Sequence, residues 1–208
     1  MKAIQTLNVF FFILIFSILT SGCAIGNKYA YHDMVAGVSA TGTKTVSIAT
    51  HDQRRYVVDG KKSPDYVGTL RALVGIPYNV STESGKALAE DMTAVMSASL
   101  ARNGFKAVPV TVLHSENPTA VMEKLKKSGG ELLLLLMLND WFSDTYYNVG
   151  LRYDVTLKIF DKDGSPVAEI NIGGEDNLGG DARKAAPDAF VIKIEELLNA
   201  PEITKALR

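Results

Sequence analysis

The sequence predicts an α+β domain, a mixed and mainly antiparallel sheet with helices packed mainly on one face. Three observations predict it. Two helix-period segments lie between early strand-like runs, near residues 85–103 and 117–129. A strictly alternating run over 149–159 is followed by a turn and a second apolar run, which makes a late hairpin. Residues 132–138 are continuously apolar, with glycines before them and polar residues after, as in a strand buried on both faces.

Taken in order, residues 45–50 alternate and form the first strand. The stretch 51–84 has no clean period and reads as a long functional loop. Tyr56, Val57 and Val58 before Asp59 and Gly60 suggest a small hairpin arm within it. The spacing predicts a helix over 85–103, because Leu88, Met92, Val95, Met96, Ser99 and Leu100 fall on one face. Thr82 or Ser84 can cap its start. Gly104 suits the left-handed position past its end, with Phe105 folding back on the last turn. Residues 108–113 form a short strand. Asn117 and Pro118 open the second helix as cap and first-turn proline, with Val121, Met122 and Leu125 inward and Gly129-Gly130 as its stop. In the late hairpin Val149, Leu151, Tyr153, Val155, Leu157 and Ile159 share one face. Asp161 to Gly164 turn the chain and 167–172 return. A Gly-rich loop over 173–181 leads to a last helix with Phe190, Val191, Ile194, Leu197 and Leu198 on one side.

The chain has 208 residues, enough for one ordinary domain with a tail. Twenty-two basic side chains stand against 23 acidic ones, so there is no basic field and no nucleic-acid partner is expected. The single cysteine excludes an intramolecular disulfide and a Cys-rich metal site.

That cysteine follows the most apolar run in the protein. Lys2 precedes thirteen nearly uniform apolar residues, 7–19. As a helix they would reach about 20 Å, short of a hydrocarbon core of about 30 Å. A charged start, a short apolar centre and a small-residue exit describe a signal peptide. The exit, Leu19-Thr20-Ser21-Gly22-Cys23, resembles the lipobox of bacterial lipoproteins. That resemblance implies cleavage before Cys23 and acylation of Cys23. Because Ala24 is not the inner-membrane retention residue Asp, it also implies the periplasmic leaflet of the outer membrane, the inner membrane being the alternative. The expected organisation is a lipoprotein signal peptide over 1–22, a lipidated cysteine with a flexible Gly/Ala/Ser/Thr-rich tether over 23–44, and a single periplasmic α+β domain over 45–208.

No catalytic or metal motif is assembled, and no cofactor is implied. Ser84-Gly85-Lys86-Ala87 lacks the glycine and hydroxyl of a phosphate loop. His32, His51 and His114 are scattered and read as solvated. Asp161-Asp163-Gly164 reads as a turn rather than a calcium loop. Asp140, Asp144, Glu175 and Asp176 form a cation or acid–base site only if two loops meet at one sheet end. The aromatic cluster Trp141, Phe142, Tyr146 and Tyr147 is the stronger candidate for partner contact, because aromatics with polar tips favour interfaces. Arg54 and Arg55 make the long loop locally basic and join it as partner-contact candidates.

The lipobox, the strand over 45–50, the helix face from Leu88 to Leu100 ending Asn103-Gly104-Phe105, the Leu-rich strand and the 149–159 hairpin together resemble the YajG-type lipoproteins, outer-membrane lipoproteins of largely uncharacterised function. The element order is also similar to auxiliary lipoproteins of lipid-transporting ABC systems and to the TolB amino-terminal domain. The expectation is a non-enzymatic, membrane-anchored lipoprotein that binds an envelope protein or component. An auxiliary lipoprotein of a lipid transporter, and a hydrolase with strand-end carboxylates, are the alternatives.

Overall fold

One long strand organises the molecule. The computed structural model describes residues 27–72 and 74–208; the expected signal peptide and Cys23 lie outside the described residues. Among the described residues the chain forms an α+β fold with eight strands in one mixed sheet and five helices. The strands are β1 (Asn27–Tyr29), β2 (Thr45–Asp52), β3 (Tyr66–Arg71), β4 (Pro77–Thr82), β5 (Lys106–Pro109), β6 (Leu132–Thr145), β7 (Val149–Asp161) and β8 (Pro166–Asn177). The helices are α1 (Arg55–Val58), α2 (Leu88–Arg102), α3 (Pro118–Lys127), α4 (Ala182–Leu198) and α5 (Pro201–Leu207).

Along one edge β6 pairs antiparallel with β7, which pairs antiparallel with β8. Its other edge is shared. The first half pairs parallel with β2, from Val46↔Leu132 to Asp52↔Leu138, and β2 carries the parallel edge strand β5. The second half pairs parallel with β3, from Gly68↔Ser143 to Leu70↔Thr145. Beyond β3 lie antiparallel β4 and then β1, parallel to β4. The sheet is therefore mixed, and its longest ladders are the antiparallel ones.

The leucine run has two faces. Leu132, Leu134, Leu136 and Leu138 join a large core with side chains of α2, α4 and α5. Leu133 and Leu135 join a smaller core with Val121 and Leu125 of α3. The chain steps from β2 to β5 through α2, then back across β2 to β6 through α3. Crossovers of one hand in opposite directions place their helices on opposite faces, as the two cores show. Fully burying each leucine contributes about 1.5–3 kcal/mol.

Local signals account for the helix ends. Gly104 has φ +93°, the Phe105 N–H bonds back to the Leu100 carbonyl, and Phe105 is buried. The Asn117 side chain accepts from the Ala120 N–H at 2.9 Å, with Pro118 next. At the start of α2 neither Thr82 nor Ser84 is the N-cap; that position is Ala87, without a side-chain bond. Thr82 and Ser84 fasten the preceding turn instead, through the Lys86 carbonyl and N–H respectively.

Four expectations change. Tyr56 to Val58 belong to one helical turn, α1, and not to a hairpin arm, and the rest of the long loop contains β3 and β4. The Gly-rich loop is largely strand, because β8 runs to Asn177. Gly174 stands opposite Tyr153, where a Cβ would sit 3.3 Å from the Tyr153 hydroxyl, so glycine leaves room for the ring. The short strand lies at Lys106–Pro109 and stops at a proline that has no N–H for a ladder. Residues 27–44, expected as tether, are docked. Tyr29, Tyr31, Ala36 and Ala40 are buried, and Tyr31 stacks on Phe190 with centroids 4.6 Å apart. The Ala36, Gly37 and Ser39 N–H groups donate to Ser99 Oγ, Glu195 Oε1 and Asn199 Oδ1 at 2.6–2.9 Å.

Candidate functional site

The parallel strands β2 and β5 run side by side from Thr45↔Lys106 to Ile48↔Pro109, β2 continues alone to Asp52, and their onward connections lead to helices on opposite faces of the sheet. Crevices at such points hold ligands in open α/β sheets. Here the crevice is a cleft of about 490 Å³ between α2 and the segment leaving β5. Thr50 comes from β2, Glu90, Asp91, Thr93, Ala94 and Ser97 from α2, and Pro109 to Val112 from the end of β5 and beyond. His32 and Asp33 follow β1, and Lys86 precedes α2.

Its chemistry is mainly hydroxyl and carboxyl. Thr50 and Thr93 hydroxyls are 2.9 Å apart, and Thr93 also donates to the Ala89 carbonyl. Asp91 is buried and accepts from Ser84 Oγ at 2.9 Å. Burial pushes its carboxyl above the usual range, and the Ser84 bond works in the opposite direction. His32 Nε2 lies 3.0 Å from Asp33 Oδ2. The cleft can accept hydrogen bonds from a ligand at its carboxyl groups, donate at Lys86 and cover apolar groups at Val110 and Val112. The sequence carried no motif for it, because its walls are four separate segments.

The six partner-contact candidates are dispersed. Trp141, 1% exposed, packs edge-on against Phe190 at 5.6 Å and lies near Tyr153, so it is core. Arg54 is fully buried. Its Nε and Nη2 donate to the two Asp52 oxygens at 2.9 and 2.7 Å, and Nη1 and Nη2 donate to the Tyr66 and Pro64 carbonyls. Burial opposes its charge, but the Asp52 contacts outweigh it and hold the guanidinium above its ordinary pKa. Neither side chain is available to a partner in this conformation, because strand alternation and the salt bridge turn them inward. Arg55 next to it is exposed, 3.8 Å from Asp59. Phe142 is half-buried, between Tyr66 and the Arg152 guanidinium. Tyr146 and Tyr147 are exposed on the β6–β7 turn.

The strand-end acids meet cations. Asp140 accepts from Arg152 Nε at 2.5 Å, Asp144 is bidentate to Arg71 at 2.8 and 2.6 Å, and Asp176 lies 3.0 Å from Lys193. Asp144, Glu175 and Asp176 do border one shallow hollow with Arg152, but Asp140 is not among its walls. His51, expected as solvated, is buried. It accepts from Gln53 Nε2 at 2.9 Å, and burial lowers its pKa. Among the described residues no group of three His, Asp or Glu side chains could hold a metal ion. No helix among them is long and apolar enough to cross a membrane.

No protein-family model matches the sequence, and no curated protein matches it. The YajG-type resemblance stays with the sequence pattern. Solved structures do align with the chain. The PelC dodecamer from Paraburkholderia phytofirmans aligns over 79% of this chain and 91% of its own, at 14% identity and TM-score 0.45. The lipoprotein GNA1162 from Neisseria meningitidis covers 74% and 99%, at 9% identity and TM-score 0.29. A Xanthomonas campestris protein of the DUF330 family aligns over 86% of this chain and 96% of its own, at 12% identity and TM-score 0.55, and this chain is similar to it in fold.

Proposed function

We propose that this is a lipid-anchored bacterial envelope protein, attached through Cys23 to the periplasmic leaflet of the outer membrane. It works without catalysis, by binding an envelope protein or component in the cleft beside α2. The observation that carries the reading is the placement of the Leu19-to-Cys23 lipidation signal directly ahead of a folded domain that begins by Asn27. The cleft supports the binding role, because it lies at the crossover reversal and offers hydroxyl, carboxyl and apolar groups together.

Two measurements test it. Cys23→Ser should release the protein from washed membranes, and retention through carbonate would place the anchor elsewhere. A photo-crosslinking residue at Ala94, which lines the cleft, should trap one defined envelope partner in cells. The same residue at Ala98, exposed but not among the cleft's lining, should not. Equal capture at both positions, or none at Ala94, refutes the cleft as the binding site.

A further inference from the structure

Two hairpin turns meet at one end of the sheet. The β3–β4 turn carries Val74 and Ile76, 77% and 51% exposed, and the β6–β7 turn carries Tyr147, 79% exposed, beside Tyr146. Tyr78, at the start of β4, is also exposed. The turns are held together from below by Arg71 of β3, whose guanidinium is bidentate to Asp144 of β6. Arg71, Gly75, Asp144, Tyr146, Tyr147 and Asn148 enclose one open hollow at this tip. The tip's basic side chain is thus already paired, and the side chains presented outward are aliphatic and tyrosyl. Apolar groups with amphipathic rings are the composition of the membrane interface.

Strand direction says what lies opposite. β1 is parallel to β4, with Asn27 beside Val80 and Tyr29 beside Thr82. β4 runs away from the tip, so β1 does too, and Asn27 is the tip-side end of β1. Cys23 is four residues earlier, and four residues span at most about 14 Å. Pro77, where β4 begins, is three residues from Val80, about 10 Å further toward the tip. An acyl chain on Cys23 can enter a bilayer only if Asn27 lies within about that reach of it. The turns lie on the tip side of Asn27.

We infer that the double-hairpin tip, Val74, Ile76, Tyr146 and Tyr147, lies against the lipid surface and orients the domain on it. The inference rests on lipidation of Cys23. It also orients the proposed binding site: β1 and β4 both run from the tip, and the segments after them, with His32, Asp33 and Lys86, line the cleft. The cleft therefore sits about 30 Å back from the tip, since Thr50 stands beside Leu136, nine residues before the end of β6.

The test uses the lipidated protein in phosphatidylethanolamine–phosphatidylglycerol vesicles. Because Cys23 is consumed by acylation, Val74→Cys, Tyr147→Cys or Lys162→Cys gives one thiol for an environment-sensitive fluorophore. Lys162 is the control, on the β7–β8 turn at the other end of β7, about 40 Å away. Labels at 74 and 147 should shift to shorter wavelength and be quenched by headgroup nitroxide lipids, while the label at 162 stays water-like and unquenched. Protein that is acylated by mass and floats with vesicles, yet leaves the 74 and 147 labels water-like, overturns the docking and leaves the anchor standing. A wavelength shift without nitroxide quenching means a second copy covers the tip and also overturns it. Protein that is neither acylated nor vesicle-bound removes the anchor, and the inference falls with it.

Discussion

Replacing Arg54 by methionine removes the most buried charge in the fold while keeping most of its volume. The wild-type guanidinium satisfies both Asp52 oxygens and two carbonyls, Tyr66 and Pro64. These bonds tie the end of β2 to the start of β3 across α1. Arg54→Met leaves the Asp52 carboxylate, 3% exposed, without its cation and both carbonyls without that donor. Breaking a buried pair from one side costs about 3–5 kcal/mol. With a urea dependence of about 2 kcal/mol per molar, the unfolding midpoint falls by about 1.5–2.5 M. The assay is built in, because the protein has one tryptophan, Trp141, and it is buried in the main core. Its emission reports global unfolding from a single site. Adding Asp52→Leu removes the stranded carboxylate, so the double variant should recover at least about 1 kcal/mol over Arg54→Met; the two carbonyls prevent full recovery. A midpoint shift below about 0.5 M, or a double variant no more stable than the single, would refute this account of the pair.

Two further outcomes follow from the same structure. His51 is held neutral by burial, with a folded-state pKa below its ordinary value, so the unfolded chain takes up the proton first as pH falls. Its contribution is present above about pH 6.5 and is lost as pH falls from there through the lower folded value. His51→Gln should flatten the stability difference between pH 7.5 and 5.5, and an unchanged slope assigns the acid sensitivity to other groups. Gly68→Ala would put a Cβ 2.1 Å from Ser143 Oγ and 2.3 Å from the Ser143 carbonyl oxygen, forcing β3 away from β6. Overpacking of this kind costs about 1–3 kcal/mol. Ser143→Gly should not restore the loss, because the carbonyl remains, and full rescue would show that only the hydroxyl clashed.

Much of the local structure was legible in the residues. The apolar face of α2, the left-handed Gly104, the Asn117-Pro118 start of α3 and the alternation of β7 each depend on side chains within a few positions of one another. The continuous leucines of β6 were legible as a doubly buried strand for the same reason. Its length was not, since Asp140 and Asp144 read as turn residues until Arg152 and Arg71 are brought beside them. The docking of 27–44 was equally hidden. Small, aperiodic residues look like a tether unless Ser99, Glu195 and Asn199, 63 to 160 positions away, supply hydrogen bonds.

The candidate sites divide along the same line. The lipobox resemblance ending at Cys23, on which the proposed anchor rests, is a contiguous pattern read along the chain by itself. The sequence also picked out Tyr146 and Tyr147 as contact residues, but grouped them with Trp141 and Arg54. Only the tertiary structure separated those four, since a side chain's solvent exposure is set by what the rest of the chain packs over it. Periodicity tells which residues share a face. It does not tell that β1 runs parallel to β4, and that pairing, between segments far apart in sequence, is what sets Asn27 beside Val80, three residues from the start of β4 at the exposed tip.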